Sequence, residues 1–85
     1  MLIREHPNQV ISGNATYVVH ICGRERGDRT WEGWLEFHPA DANHPTLTTE
    51  QETSQPNISA LQYWADGVEP IYLEGALARA QGRLL

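Results

Sequence analysis

The hydrophobic positions along this chain change period once. Up to Gln55 they fall in short β-branched and aromatic runs, and from Ile58 onward they recur at helical spacing. Two runs carry the strand signal. They are Thr16-Tyr17-Val18-Val19-His20-Ile21-Cys22 and Thr30-Trp31-Glu32-Gly33-Trp34-Leu35-Glu36-Phe37. Between them a three-residue loop, Glu25-Arg26-Gly27, places glycine in the left-handed position that a bulged turn requires. That turn sets Arg24 opposite Asp28, Ile21 opposite Trp31, Val19 opposite Gly33 and Tyr17 opposite Leu35. Opposed residues share a face, so Tyr17, Val19, Ile21, Trp31, Leu35 and Phe37 form the expected core face.

Either side of this hairpin the signals weaken. Residues 1–15 read as a loosely structured lead-in, with a short strand at Gln9-Val10-Ile11. His38 to Pro45 is loop by composition. The threonine-rich stretch Thr46 to Thr53 suits a third strand at the sheet edge, where Glu50 and Glu52 would discourage further pairing. Ser54-Gln55-Pro56-Asn57 signals a helix start, with serine or asparagine as cap. The stripe Ile58, Leu61, Trp64, Ala65 and Val68 follows, and Gly67 is expected to end the helix in the left-handed conformation. Ile71, Leu73, Ala76, Leu77, Ala80 and Leu84 suit a second helix, a short strand at Ile71-Tyr72-Leu73 being the alternative. The expected fold is one α+β domain over 1–85: an antiparallel three-stranded β-meander followed by one or two C-terminal helices packed on one face.

Composition narrows the function classes. In 85 residues there is one cysteine, Cys22, which excludes an internal disulfide and a multi-cysteine zinc site. All six basic residues are arginine, and the net charge is −5. Arg24, Arg26 and Arg29 cluster but are interleaved with Glu25 and Asp28, so no nucleic-acid partner is expected. The first residues hold no basic region leading into an apolar run, and no apolar stretch is long enough to span a bilayer. The expected location is the cytoplasm, with no membrane partner.

The second face of the hairpin carries Val18, His20, Cys22, Glu32, Trp34 and Glu36, and it is too apolar for an ordinary solvent-facing sheet. The register above makes Val18 and Trp34 cross-strand neighbours. Val18, His20, Cys22, Trp34 and Glu36 are therefore the expected interface residues, unless the lead-in or the last helix covers them. His20 and Cys22 share this face as a chelating pair must, with His38 and His44 downstream. The register, however, places His38 across from Asn14, far along the strand, and leaves His20 to pair with Glu32. No metal or cofactor is expected. A Cys22–His20 nucleophile–base pair lacks an orienting third group. Asp66, Glu69 and Glu74, with Tyr63, Trp64 and Tyr72 nearby, offer carboxylates for acid–base work or simply a solvated helix face.

In its order of strands followed by a helix, on a small acidic chain, the region from the hairpin through the helix at Ile58 resembles the HicB-like antitoxin domain. The likeness is one of element order. The functional expectation is a non-enzymatic interaction module, a homodimer or a small assembly subunit. The alternative is a small-ligand protein or enzyme with a site near His20 and Cys22 or around Tyr63, Trp64 and Tyr72.

Overall fold

The computed structural model describes residues 1–82. It is an α+β fold: a six-stranded antiparallel sheet followed by two helices that pack on it. The strands are β1 (Leu2–Glu5), β2 (Val10–Ser12), β3 (Ala15–Glu25), β4 (Trp31–Pro39), β5 (Leu47–Thr48) and β6 (Thr53–Gln55), and the helices are α1 (Ile58–Asp66) and α2 (Pro70–Gly82). The long hairpin β3–β4 is the spine. β1 and β2 share the free edge of β3, and β5 and β6 share the free edge of β4.

The hairpin register differs from the expected one by four residues. Val19 lies opposite Phe37, Ile21 opposite Leu35, Gly23 opposite Gly33 and Arg24 opposite Glu32. The cause is the turn. A bulged three-residue loop does form, but two positions later, at Gly27-Asp28-Arg29. Arg29 N–H donates to the Arg26 carbonyl and Arg26 N–H to the Thr30 carbonyl. The left-handed residue is Arg29 (φ 70°), where Gly27 was expected. Asp28 secures this turn by accepting from both the N–H and the hydroxyl of Thr30.

The side-chain period of a strand is two, so a shift of four leaves every residue on its expected face while changing every neighbour. Tyr17, Val19, Ile21, Leu35 and Phe37 are all buried on the helix side, as expected, whereas Trp31 sits near the hairpin end and is partly exposed. The new register also opposes two glycines, and Leu61 of α1 fills the notch they leave. A Cβ on Gly23 would lie 2.5 Å from Leu61 Cδ2, and one on Gly33 would lie 2.8 Å from Leu61 Cδ1.

The lead-in is structured rather than loose. β1 pairs with β3 around a bulge at Ile3, so that Ile3 packs toward the core and Arg4 reaches Asp66 of α1 at 2.8 Å. His6 is buried. Its Nε2–H donates to the Val68 carbonyl (2.8 Å) while Nδ1 accepts from Asn8 N–H (3.0 Å), tying the lead-in to the link between the helices. The threonine-rich stretch is two short strands, interrupted where Thr49 bonds Leu35 through both its backbone and its hydroxyl. Glu52 does not face out from the edge. Its side chain is buried and accepts from Arg79 (2.6 and 2.8 Å) and from the Tyr72 hydroxyl.

Asn57 is the N-cap of α1, accepting from Ala60 N–H at 2.8 Å. Gly67 ends the helix in the right-handed region (φ −90°, ψ −3°), not the left-handed one expected. Residues 71–73 are helical, so the strand alternative fails. α2 buries Leu73, Ala76, Leu77 and Ala80, the i, i+3, i+4, i+7 stripe, and leaves Ile71 exposed. Leu84 lies outside the described residues. Both helices pack into one core with Tyr17, Val19, Ile21, Leu35 and Phe37. The described part of the last helix therefore does not cover the Trp34 face.

Candidate functional site

With the helices on one side, the other side of the sheet is open, and the register arranges it in rows. Leu2, Cys22 and Trp34 are successive cross-strand partners and make an apolar row over β1, β3 and β4. In the next row Glu5, His20, Glu36 and Thr48 are partners across four strands. Val18 and His38 pair in the row after that. All five expected interface residues, Val18, His20, Cys22, Trp34 and Glu36, are thus on this face, though with other neighbours. Trp34 adjoins Cys22 rather than Val18. His38 lies opposite Val18 rather than Asn14, and His20 faces Glu36 while Glu32 pairs with Arg24.

The ionisable row is tightly knit. Trp34 Nε1–H donates to Glu36 Oε2 at 3.0 Å, and His38 Nε2 lies 3.1 Å from Glu36 Oε1. The His20 and His38 rings stand 4.3 Å apart between centroids, tilted by 41°. Glu5 Oε1 is 3.4 Å from His20 Nε2. The indole hydrogen bond, opposed by partial burial and aided by His38, holds the Glu36 carboxyl below its usual range. His20, Glu36 and His38 bring one ligand atom each within 4.8 Å of one another, and all three are half-buried. His44, the other histidine considered as a ligand, is engaged with Asp41 in the loop, 3.0 Å away.

Cys22 is 6% exposed although it sits on the open face. Burial, reinforced by the neighbouring Glu36 carboxylate, pushes its thiol up to about 11. A thiol raised in this way is disfavoured as a thiolate at neutral pH, which weighs against a Cys22–His20 nucleophile–base pair.

A second surface lies on the helix side. A groove of about 600 Å³ between α1 and α2 is lined by Trp64, Val68, Ile71, Tyr63 and Tyr72, among others. Tyr63 and Ile71 are largely exposed, and Tyr72 meets Trp64 edge-on at 6.1 Å. The three acids named for this region do not converge. Asp66 is bound by Arg4, and of the three only Glu69 lines the groove.

The groove was legible as an aromatic cluster in sequence. The His20–Glu36–His38 group was not, because the expected turn places His38 six strand positions from the partner of His20, where the observed register leaves two. Among the described residues no helix is long and apolar enough to cross a membrane. Comparison with known protein families, with curated protein sequences and with solved structures finds no match, so the likeness of element order to the HicB-like antitoxin domain stands without a family match.

Proposed function

We propose that this chain is a non-enzymatic interaction module that packs its open sheet face against a protein, a second copy of itself or a larger subunit. The observation that carries the reading is the placement of both helices on one side of the sheet, which leaves the Leu2–Cys22–Trp34 row uncovered by the described residues. One face of an antiparallel sheet is commonly solvated, but such a face is then polar along every strand. Here a tryptophan and a leucine (Leu2 53% exposed) flank a buried cysteine on adjacent strands. Tryptophan anchors of this kind are favoured at protein interfaces. A location in the cytoplasm belongs to the same proposal, supported by a single cysteine in a chain of a size at which exported domains are disulfide-dense.

Light scattering across a concentration series, with a pull-down from lysate of the source cells, tests the reading on wild type and Trp34→Glu. The reading expects self-association or a stoichiometric protein partner for wild type, and loss of either in a folded Trp34→Glu variant. A wild-type monomer whose captured proteins are unchanged by Trp34→Glu would remove it. The groove between the helices then becomes the leading site, as a receptor for a small apolar ligand with aromatic contacts.

A further inference from the structure

We propose that His20, Glu36 and His38 form a binding site for a divalent first-row transition ion, with zinc as the reference case, on the open face of the sheet. Two imidazoles and one carboxylate are a donor set such ions take, whereas magnesium and calcium call for oxygen ligands throughout. At metal–nitrogen distances of about 2.0–2.1 Å, tetrahedral ligand atoms stand roughly 3.3 Å apart. His38 Nε2 and Glu36 Oε1 already meet that spacing at 3.1 Å. The three ligand atoms all lie within 4.8 Å of one another, a span that small rotations of half-exposed side chains close. The fourth position is left to water or to Glu5, whose Oε1 is 3.4 Å from His20 Nε2.

The supporting frame favours a built site over a chance meeting of surface groups. His20 is on β3 and Glu36 and His38 are on β4, the two strands of the sheet that are paired on both sides. Ligands on such strands are held more closely than ligands on loops. Glu36 is oriented from behind, since Trp34 Nε1–H occupies Oε2 and leaves Oε1 turned to His38. The site opens to solvent, with side-chain exposures of 27% for His20, 28% for Glu36 and 36% for His38, so an ion has an entry path. Partner docking is not required for any of this, and a monomer would bind the ion equally.

The test uses the full chain, free of any histidine tag and stripped with a chelator. Zinc is titrated by calorimetry and cobalt by its visible absorption, and the histidine ring resonances of the wild type are followed by NMR. We expect a single ion per chain and zinc-dependent shifts of the His20 and His38 rings, with those of His6 and His44 left in place. His20→Gln, His38→Gln and Glu36→Gln should each weaken binding by at least about tenfold, and His44→Gln should not. Absence of saturable binding, binding retained by both folded His20→Gln and His38→Gln, or zinc shifts confined to His6 or His44 would each overturn the assignment. If a variant does not fold, the wild-type ring shifts decide.

Discussion

The two faces of the central hairpin are built from adjacent residues of the same two strands, yet they obey different rules. On the helix side, alternate residues Tyr17, Val19, Ile21, Leu35 and Phe37 merge with Leu73, Ala76, Leu77 and Ala80 into one dry core. Position there is set by volume, down to the notch at Gly23 and Gly33 that receives Leu61. On the open side, the intervening residues are sorted across strands by chemistry, an apolar row next to an ionisable one. Packing dictates the first face. The second is free to carry groups that stability does not need, and for that reason function is sought there.

Substitutions on the two faces should separate them. The largest effect is expected from Phe37→Ala, since the ring is fully buried on the helix side. Truncation should cost about 3–5 kcal/mol in urea unfolding. Val18→Ala, in the neighbouring cross-strand pair but on the open side, should cost less than about 1 kcal/mol. Comparable losses at the two positions would mean the open face is already part of a packed core, and the contrast would break.

Gly23→Ala and Gly33→Ala come next, at roughly 1–3 kcal/mol each through overpacking against Leu61. In a Leu61→Ala background most of that penalty should vanish, because the added methyl then enters the space the leucine vacates. A double-mutant cycle reads this coupling directly. Undiminished penalties would place their origin in the backbone, for instance at the Glu32 carbonyl beside Gly23, rather than in the notch.

A smaller effect sharpens the helix side further. Burial opposes ionisation of Glu52, but the hydrogen bonds from Arg79 and Tyr72 outweigh it and hold the carboxyl below its ordinary range. A lowered folded value means that this stabilisation is fully present above the unfolded glutamate value of about 4.3 and is lost as pH falls through the lower folded value. Glu52→Gln should therefore lose about 1 kcal/mol at neutral pH. In urea melts the gap from wild type should close on acidification below about pH 4. A gap that persists in acid would assign the loss to packing instead of to the ion pair.

Much of this fold was readable from residue order, and the larger failures lie where pairing or packing between distant residues decides. The change from alternation to helical spacing at Ile58, the cap at Asn57 and the stripe Leu73, Ala76, Leu77, Ala80 are local patterns, and each formed where it was expected. The strand at Leu2–Glu5 carries little periodic signal, because it is a short edge held by pairing to β3 rather than by its own composition, whereas the short strand expected at Gln9-Val10-Ile11 forms at Val10–Ser12. The candidate interface was legible as a set of residues on one face. Its internal arrangement was not, since that depends on which of two adjacent turns the hairpin adopts.

What the sequence alone determined is face membership: a strand alternates by two, so any even shift of register leaves the same residues inward and the same residues outward. Which outward residues touch was decided by the tertiary structure. A turn with Gly27 left-handed is locally favoured, and placing Arg29 there costs about 1–2 kcal/mol. The later turn repays that cost at a distance. It sets Phe37 against Val19 and Leu35 against Ile21, and it opposes two glycines so that Leu61 can seat the helix. Those gains exist only once α1 is packed, and no window of sequence around the turn contains them. The same choice brought His38 beside His20 and Glu36.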